Sequence, residues 1–358
     1  MSRAFRYIVT GLICLGLTLG LSRYPAAMAE GSPNLNQFPD PVSSDQFLFI
    51  PLLENQKTST TADSQKHVPR VVLALGGGGM RGAAHVGVLK VLVKAGIPID
   101  GIAGTSMGAV VGGMYAAGMP VPEIEKRFVN GSLMKSFVPI PLGIRLMLAP
   151  IISAPRLIGI EPYDGIYYGF PFHNYLERAL PADKKTIESL NIPFYAVAID
   201  LCDGHPYAIR KGDLVLAMQA SSAVPGLRKP IRIGDKLFVD GGVLSNLPVP
   251  QAREMGGDFV IAVQIDESFT KKNPNQFRKP GSVAKRMFDL QLSAFDAVHG
   301  KKADIVIHPY LDGVGLISTK ISDAKRSVAA GEAATEAALP TIKEKLKSLG
   351  IATTTPNI

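Results

Sequence analysis

Apolar runs that end in glycine recur along the middle of this chain. Residues 70–75 form a largely apolar run before four glycines, which is the pattern of a strand buried in a parallel sheet. Residues 83–95 then carry apolar side chains at helical spacing, and Gly96 follows as a helix stop. A second strand at residues 101–104 turns into a second helix at residues 106–117. This succession of strand, turn and helix predicts right-handed βαβ units.

The same alternation continues towards the C-terminus. Further strands are predicted at residues 193–199, 207–210, 236–239, 259–265 and 304–308. Helices are predicted at residues 213–221, 249–255, 283–299 and 322–339, with a short helix at residues 341–349 after a break at Pro340. We therefore expect a three-layer α/β/α fold with a mainly parallel central sheet.

The N-terminus has the pattern of a secretory signal peptide that covers residues 1–29. Two arginines precede an apolar run at residues 8–21, and Ala27 and Ala29 satisfy the small-residue rule for cleavage. The run is shorter than the roughly 20 residues of a bilayer span, which favours cleavage over a membrane anchor. We expect export, most simply to a bacterial periplasm, with secretion or membrane association as alternatives.

The remaining chain divides by composition into three parts. Residues 30–69 are rich in polar residues and proline and are interpreted as a linker, residues 70–311 as the α/β domain, and residues 312–358 as a helical segment that packs on it. Removing the three arginines of the signal peptide from the net charge of +8 leaves +5. This mild excess suits an anionic membrane surface, and the absence of any nucleic-acid motif leads us to expect no nucleic-acid partner.

A GxSxG sequence, Gly104-Thr-Ser106-Met-Gly108, stands where the second strand turns into the second helix. Glycines two positions before and after the serine permit a strained turn that projects the serine Oγ out of the sheet. The sequence is short enough to occur by chance, so its position between a strand and a helix gives it its weight. Ser106 is therefore a candidate nucleophile.

A glycine-rich loop from Gly76 to Gly82 follows the first strand and opens a helix. Its backbone N–H groups can form a cradle for negative charge, and two interpretations stay open. In an oxyanion hole, Gly78 or Gly79 and the N–H of Met107 would stabilise a tetrahedral intermediate. Alternatively, Gly77-x-Gly79-x-x-Gly82 fits a dinucleotide fingerprint, although the acidic residue required after the second strand is missing, since Asp100 precedes that strand.

Asp240 ends a predicted strand and is followed by Gly241 and Gly242. A carboxylate at a strand end, beside glycines that allow another chain segment to approach, can reach a nucleophile. Asp-Gly is also a common hairpin dipeptide, so this motif alone also fits a simple turn.

Taken together, these motifs resemble the patatin-like phospholipase family over residues 70–311. The resemblance rests on Gly77-x-Gly79-x-Arg81-Gly82, Gly104-Thr-Ser106-Met-Gly108, Ala220-Ser-Ser-Ala-Val-Pro225 and Asp240-Gly-Gly242. It implies a patatin-like fold and a serine lipid acyl hydrolase that acts on a phospholipid or another acyl-ester lipid at a membrane surface.

The resemblance also implies roles for single residues. Ser106 and Asp240 would form a dyad without histidine, the backbone from Gly77 to Gly79 would form the oxyanion hole, and Arg81 would brace that loop or help to hold a phosphate. From the residues alone a histidine triad is equally open, with His308 at the end of a predicted strand as its base. A second class of function, a noncatalytic lipid- or nucleotide-binding protein with the same fold, also stays open.

Two further expectations concern the rest of the chain. Residues 133–160 are apolar and contain four prolines, which disfavours one regular helix and fits either a lipid-contacting lid or a buried insertion. No group of residues has the spacing of a metal site, and we expect neither a metal nor a cofactor.

Overall fold

A sheet of eight strands forms the centre of the computed structural model, which describes residues 68–140, 163–266, 271–279 and 281–353. The strands are β1 (Val71–Leu75), β2 (Gly101–Thr105), β3 (Phe194–Asp200), β4 (Pro206–Ile209), β5 (Ile231–Ile233), β6 (Lys236–Asp240), β7 (Phe259–Val263) and β8 (Ile305–Ile307). Their order is β5-β6-β3-β2-β1-β7-β8, and β4 pairs with β3. Five strands, in the order β3, β2, β1, β7 and β8, each pair in parallel with the next. By contrast, β4 and β6 pair antiparallel with β3, and β5 pairs antiparallel with β6. The mainly parallel sheet is thus confirmed.

Helices cover both faces of this sheet. They are α1 (Ala83–Lys94), α2 (Met107–Ala116), α3 (Val121–Val129), α4 (Ser132–Phe137), α5 (Phe170–Ala179), α6 (Leu214–Ser221), α7 (Val249–Glu254), α8 (Ser282–Gly300) and α9 (Ile321–Ser348). Alternate residues of β1 enter two separate cores: Val71 and Leu73 face the larger core with α1, α2 and α9, and Val72 faces the smaller one with α7. This alternation in a strand buried on both sides produces the three layers that the sequence predicts.

The predicted helix break at Pro340 is wrong. A single helix, α9, runs through this proline, although proline removes one N–H from the helical ladder. Its usual acceptor would be the carbonyl of Glu336, and both residues are exposed, so water can satisfy that carbonyl. Beyond the proline, Ile342 and Leu346 are fully buried, and their packing holds the last turns in register.

Four short elements were not predicted: α3, α4, α5 and β5. They lie on either side of residues 141–162, which are outside the described part of the chain. In the apolar stretch at residues 133–160, the described beginning forms α4, whose Leu133, Met134 and Phe137 are buried. The choice between lid and insertion for the remainder falls on residues that the structure does not describe, as do the predicted signal peptide and most of the linker. Within the described ranges, no helix is long and apolar enough to span a bilayer.

The sheet register brings two distant chain segments to one level. Thr105 of β2 pairs with Val197 of β3, and the next residue of β3, Ala198, pairs with Asp240 of β6. Because Ser106 follows Thr105 directly, Ser106 and Asp240 lie at the same height on opposite sides of β3. The antiparallel insertion of β6 is therefore what positions the second candidate residue.

Candidate active site

Ser106 occupies a strained turn between β2 and α2. Its φ of 53° makes it the only non-glycine residue with positive φ among those described, a conformation that costs about 1–3 kcal/mol. The turn is tight enough that a Cβ on Gly108 would lie 2.2 Å from the carbonyl oxygen of Leu75, and one on Gly104 would lie 2.6 Å from the backbone of Ala109. The two motif glycines therefore permit the close contacts that hold the serine at the end of β2.

The Ser106 side chain contacts Asp240 directly. Ser106 Oγ donates a hydrogen bond of 2.6 Å to Asp240 Oδ2, and Asp240 Oδ1 accepts one of 2.8 Å from the Gly242 N–H. Gly241 and Gly242 open a short 3-10 turn that carries the chain away from β6. The structure thus brings together the two residues that the sequence motifs single out.

Burial changes the acidity of Asp240. Its side chain is removed from water, which raises the pKa from 3.8 to about 6, while the hydrogen bonds from Ser106 and Gly242 act in the opposite direction. A carboxylate with this pKa is ionised at neutral pH, and its conjugate acid is weaker than that of a free aspartate. The group can accept a proton from a hydroxyl and return it.

The glycine-rich loop offers only some of its N–H groups to a ligand. The Gly77 N–H donates to the carbonyl oxygen of Asn246 at 3.3 Å, and the Met80 N–H donates to that of Leu316 at 2.9 Å. In the described part of the chain, the N–H groups of Gly78 and Gly79 have no acceptor. Gly79 has a φ of 56°, a conformation that favours glycine. Such a left-handed residue can direct successive N–H groups of a loop towards one anion.

The glycine loop passes close to the nucleophile. A Cβ on Gly77 would lie 2.9 Å from Ser106 Cβ, so the loop passes directly next to the serine. Met107, the first residue of α2, supplies the N–H of a helix N-terminus. Gly82 packs against the Met107 side chain, since a Cβ there would approach Met107 Cγ to 2.3 Å. The glycine loop and the first turn of α2 therefore both adjoin Ser106.

Arg81 connects the glycine loop to a second segment. Its side chain is 3% exposed, and Nε donates to the carbonyl oxygen of Val314 at 2.8 Å. This contact joins residues that are 233 positions apart, and it fits a bracing role for the guanidinium.

Three further residues support the site and were not assigned roles from the sequence. Ser221 Oγ accepts from the Ser106 N–H at 2.9 Å and donates to the carbonyl oxygen of Val197 at 2.6 Å. Asn246 Nδ2 donates to Asp296 Oδ2 at 2.6 Å. Ser221 belongs to the Ala220–Pro225 motif and could have been found there, whereas Asp296 stands in α8 without any motif.

None of the described histidines contacts Ser106 or Asp240. His308 Nε2 lies 3.1 Å from Asp266 Oδ1, and this carboxylate raises the pKa of His308. His85 is fully buried below the glycine loop with Nε2 2.7 Å from the Gly76 carbonyl oxygen, and burial lowers its pKa to about 4. The geometry therefore favours the Ser–Asp pair over a histidine triad.

The dinucleotide interpretation of the glycine loop also lacks support. Asp100 precedes β2, where Oδ2 accepts from the Val71 N–H at 2.7 Å. This position is at the amino edge of the parallel strands, opposite Ser106. The residue that follows β2 at the carboxyl edge, where a ribose-binding acid is required, is Ser106 itself.

Comparison with known proteins finds similar sequences and similar structures. An uncharacterized NTE family protein of Mycobacterium tuberculosis is 36% identical over 207 residues, which are 56% of this chain and 50% of that protein. Human Patatin-like phospholipase domain-containing protein 6 is 31% identical over 197 residues, 54% of this chain and 13% of that protein. The crystal structure of VipD from Legionella pneumophila has 16% identity and a TM-score of 0.43, covering 76% of this chain and 67% of VipD.

The chain spans half the length of the mycobacterial relative. A family model described as patatin-like phospholipase matches residues 73–253, which include the glycine loop, Ser106 and Asp240. This chain belongs to the patatin-like phospholipase family.

Proposed function

We propose that this protein is a lipid acyl hydrolase that cleaves carboxylic esters of phospholipids or other acyl lipids through an acyl-enzyme on Ser106. The observation that carries the proposal is the 2.6 Å hydrogen bond from Ser106 Oγ to the buried Asp240 carboxylate. A serine in a strained turn, bonded to a carboxylate and adjoined by a glycine loop with unpaired N–H groups, suits acyl transfer, which requires a nucleophile, a base and oxyanion donors.

In the proposed reaction, Asp240 takes the proton of Ser106 as Oγ attacks the ester carbonyl carbon. The N–H groups of Gly78, Gly79 and Met107 stabilise the oxyanion, and each such donor contributes about 3–4 kcal/mol in known cases. The bond to the leaving alcohol breaks, and that alcohol takes the proton from Asp240. Water then attacks the acyl-enzyme, gives a proton to Asp240, and releases the fatty acid as the proton returns to Ser106 Oγ.

The test is hydrolysis of a short-chain p-nitrophenyl ester and of mixed phospholipid vesicles by the wild type, Ser106→Ala, Asp240→Ala and His308→Ala. We expect the first two variants to lose turnover while circular dichroism shows that they stay folded. His308→Ala is the matched control, because His308 contacts the buried carboxylate of Asp266 and neither residue of the dyad. This variant should keep most of the activity. Loss of activity in His308→Ala alone would refute the dyad.

A noncatalytic lipid- or nucleotide-binding protein is the competing function. Binding alone requires no activated hydroxyl, whereas the short bond to Asp240 activates Ser106 for attack. A serine-directed fluorophosphonate should therefore label the peptide that contains Ser106, and the label should disappear in Asp240→Ala. A folded wild-type protein that takes up no label and hydrolyses no ester would support the binding function instead.

Export through residues 1–29 belongs to the same proposal. Cleavage after Ala29 is supported by the apolar run at residues 8–21, which two arginines precede and the small residues Ala27 and Ala29 follow. Sequencing the N-terminus of protein recovered from the periplasmic fraction and from the medium tests it. A start at Glu30 would agree with the proposal, and an intact Met1 in the cytoplasmic fraction would contradict it.

A further inference from the structure

A short stretch of this chain concentrates positive charge. Residues 271–287 contain six lysines and arginines and no aspartate or glutamate. The charge of this stretch is therefore +6, compared with +8 for the whole chain. We call its described residues, 271–279 and 281–287, the basic segment. A charge density of this kind attracts an anionic surface.

The basic segment lies at the same edge of the sheet as Ser106. Helix α8 connects the parallel strands β7 and β8, so it runs opposite to the strands and begins at their carboxyl edge. Further along α8, Gln291 Nε2 donates to the Val243 carbonyl oxygen at 2.9 Å, and Leu292 packs against Gly242. From there, ten residues at 1.5 Å each place the start of α8 about 15 Å from the turn after Asp240.

Apolar side chains accompany the charge. On α8, Asp289, Leu292 and Asp296 face inwards and are buried, whereas Val283 and Met287, one turn apart, are 58% and 61% exposed. Lys271, Arg278 and Lys279 are exposed as well. Exposed aliphatic residues beside cations are typical of elements that lie on a lipid surface, because the aliphatic groups enter the acyl boundary while the cations meet phosphates.

We infer that the basic segment is a docking surface for anionic phospholipid bilayers, which holds the carboxyl edge of the sheet against the membrane. The inference rests on the proposed function, because a docked protein would hold Ser106 near the bilayer surface, where its lipid ester substrate lies. A nucleic acid would also meet the cations, but it would gain nothing from Val283 and Met287.

The test uses the full chain carrying Ser106→Ala, so that lipid is not consumed, in sedimentation with phosphatidylcholine vesicles and with vesicles that also contain phosphatidylglycerol. Lys271→Gln, Arg278→Gln and Lys279→Gln are combined in one variant. One cation near an anionic surface contributes about fivefold to partitioning, so we expect this variant to bind the anionic vesicles about 100-fold more weakly. Added salt should weaken wild-type binding, since the Debye length falls from about 10 Å at 0.1 M to about 3 Å at 1 M.

The matched control combines Lys94→Gln, Lys343→Gln and Lys347→Gln. It removes the same charge from exposed positions near the amino edge of the sheet, and it should bind almost as the parent does. Met287→Ser should weaken binding about tenfold, whereas Val298→Ser, at the far end of the same helix and 48% exposed, should not.

Equal loss in the two triple variants, or no loss in either, would overturn the inference. It would also be overturned if the basic-segment variant lost binding to duplex DNA and kept its binding to vesicles. With Ser106 restored, the same variant should hydrolyse a soluble p-nitrophenyl ester at the wild-type rate and vesicle lipid more slowly. If the wild type hydrolysed no ester, the proposed function would fail, and the vesicle-binding result would still decide the docking surface.

Discussion

Asp240→Asn separates the catalytic use of Asp240 from its effect on stability. The asparagine carbonyl oxygen can still accept from the Gly242 N–H, and its amide can donate to Ser106 Oγ, so both contacts of the carboxylate have replacements. The substitution removes only the buried charge and the capacity to take up a proton. We expect ester turnover to be lost and the folded state to become more stable above neutral pH.

The magnitude follows from the pKa of Asp240. Burial raises it from 3.8 to about 6, a difference that corresponds to about 3 kcal/mol. Between these two values the folded protein keeps a proton that the unfolded chain has released, so wild-type stability decreases as the pH rises through this range. Above pH 6 the full cost of burying the carboxylate is present. The stability advantage of Asp240→Asn should therefore grow from near zero at pH 4 to at most about 3 kcal/mol at pH 8.

Urea unfolding of both proteins at several pH values measures this difference. The chain contains no tryptophan, so circular dichroism is the suitable signal. Ser106→Ala serves as the control, because it removes the hydrogen bond to Asp240 and keeps the charge. If Asp240→Asn were less stable than the wild type by the same amount at every pH, the carboxylate would not be buried at a cost, and its assignment as a base with a raised pKa would be refuted.

Four further predictions concern the same site. The kcat/KM for a neutral ester should rise with pH and reach half its plateau near pH 6, since Asp240 must be ionised; a flat profile from pH 5 to pH 8 would contradict this. Ser106→Gly should be about 1 kcal/mol more stable than Ser106→Ala in urea, because glycine tolerates the φ of 53°. Gly108→Ala should lose about 3 kcal/mol through the 2.2 Å contact with a backbone oxygen, whereas Gly300→Ala, whose nearest contact is 3.6 Å, should stay within about 1 kcal/mol of the wild type. Ser221→Ala should lose about 1–3 kcal/mol and reduce kcat, because the buried Ser106 N–H loses its acceptor; wild-type kcat would show that this bond does not hold the nucleophile.

The core of the fold could be predicted because its strands are buried on both faces. Such strands are apolar runs without alternation, and in this chain β1 and β2 end at glycine-rich turns. The edge strand β5 has only three residues, none of them buried, and gives no comparable signal. In α3, by contrast, Val121, Ile124 and Phe128 are buried at helical spacing, and a proline stands in the first turn. The sequence therefore contained enough information to predict this helix.

The two central residues of the candidate site could be predicted, but the allocation of hydrogen bonds around them could not. Local motifs single out Ser106 and Asp240 because glycines flank Ser106 and follow Asp240 at the strand-end turns. Which loop N–H groups remain free depends on Asn246, which takes the Gly77 N–H from 169 positions away. The basic segment is not evident from the net charge, because charge counted over the whole chain averages out the local excess at residues 271–287.

Asp296 shows why the support of a site is harder to predict than its reacting groups. Burial raises the pKa of Asp296 to about 7, so the protein keeps a second buried carboxyl that is costly in stability, in addition to Asp240. Asn246 explains its position: the Asn246 side chain donates to Asp296, and the Asn246 carbonyl oxygen holds the Gly77 N–H. A residue that served packing alone would be better replaced by an apolar one of similar size. The buried acid fixes Asn246, and Asn246 fixes the loop that passes Ser106. Burying Asp296 therefore lowers the stability of the fold but holds the glycine loop in one conformation beside the nucleophile.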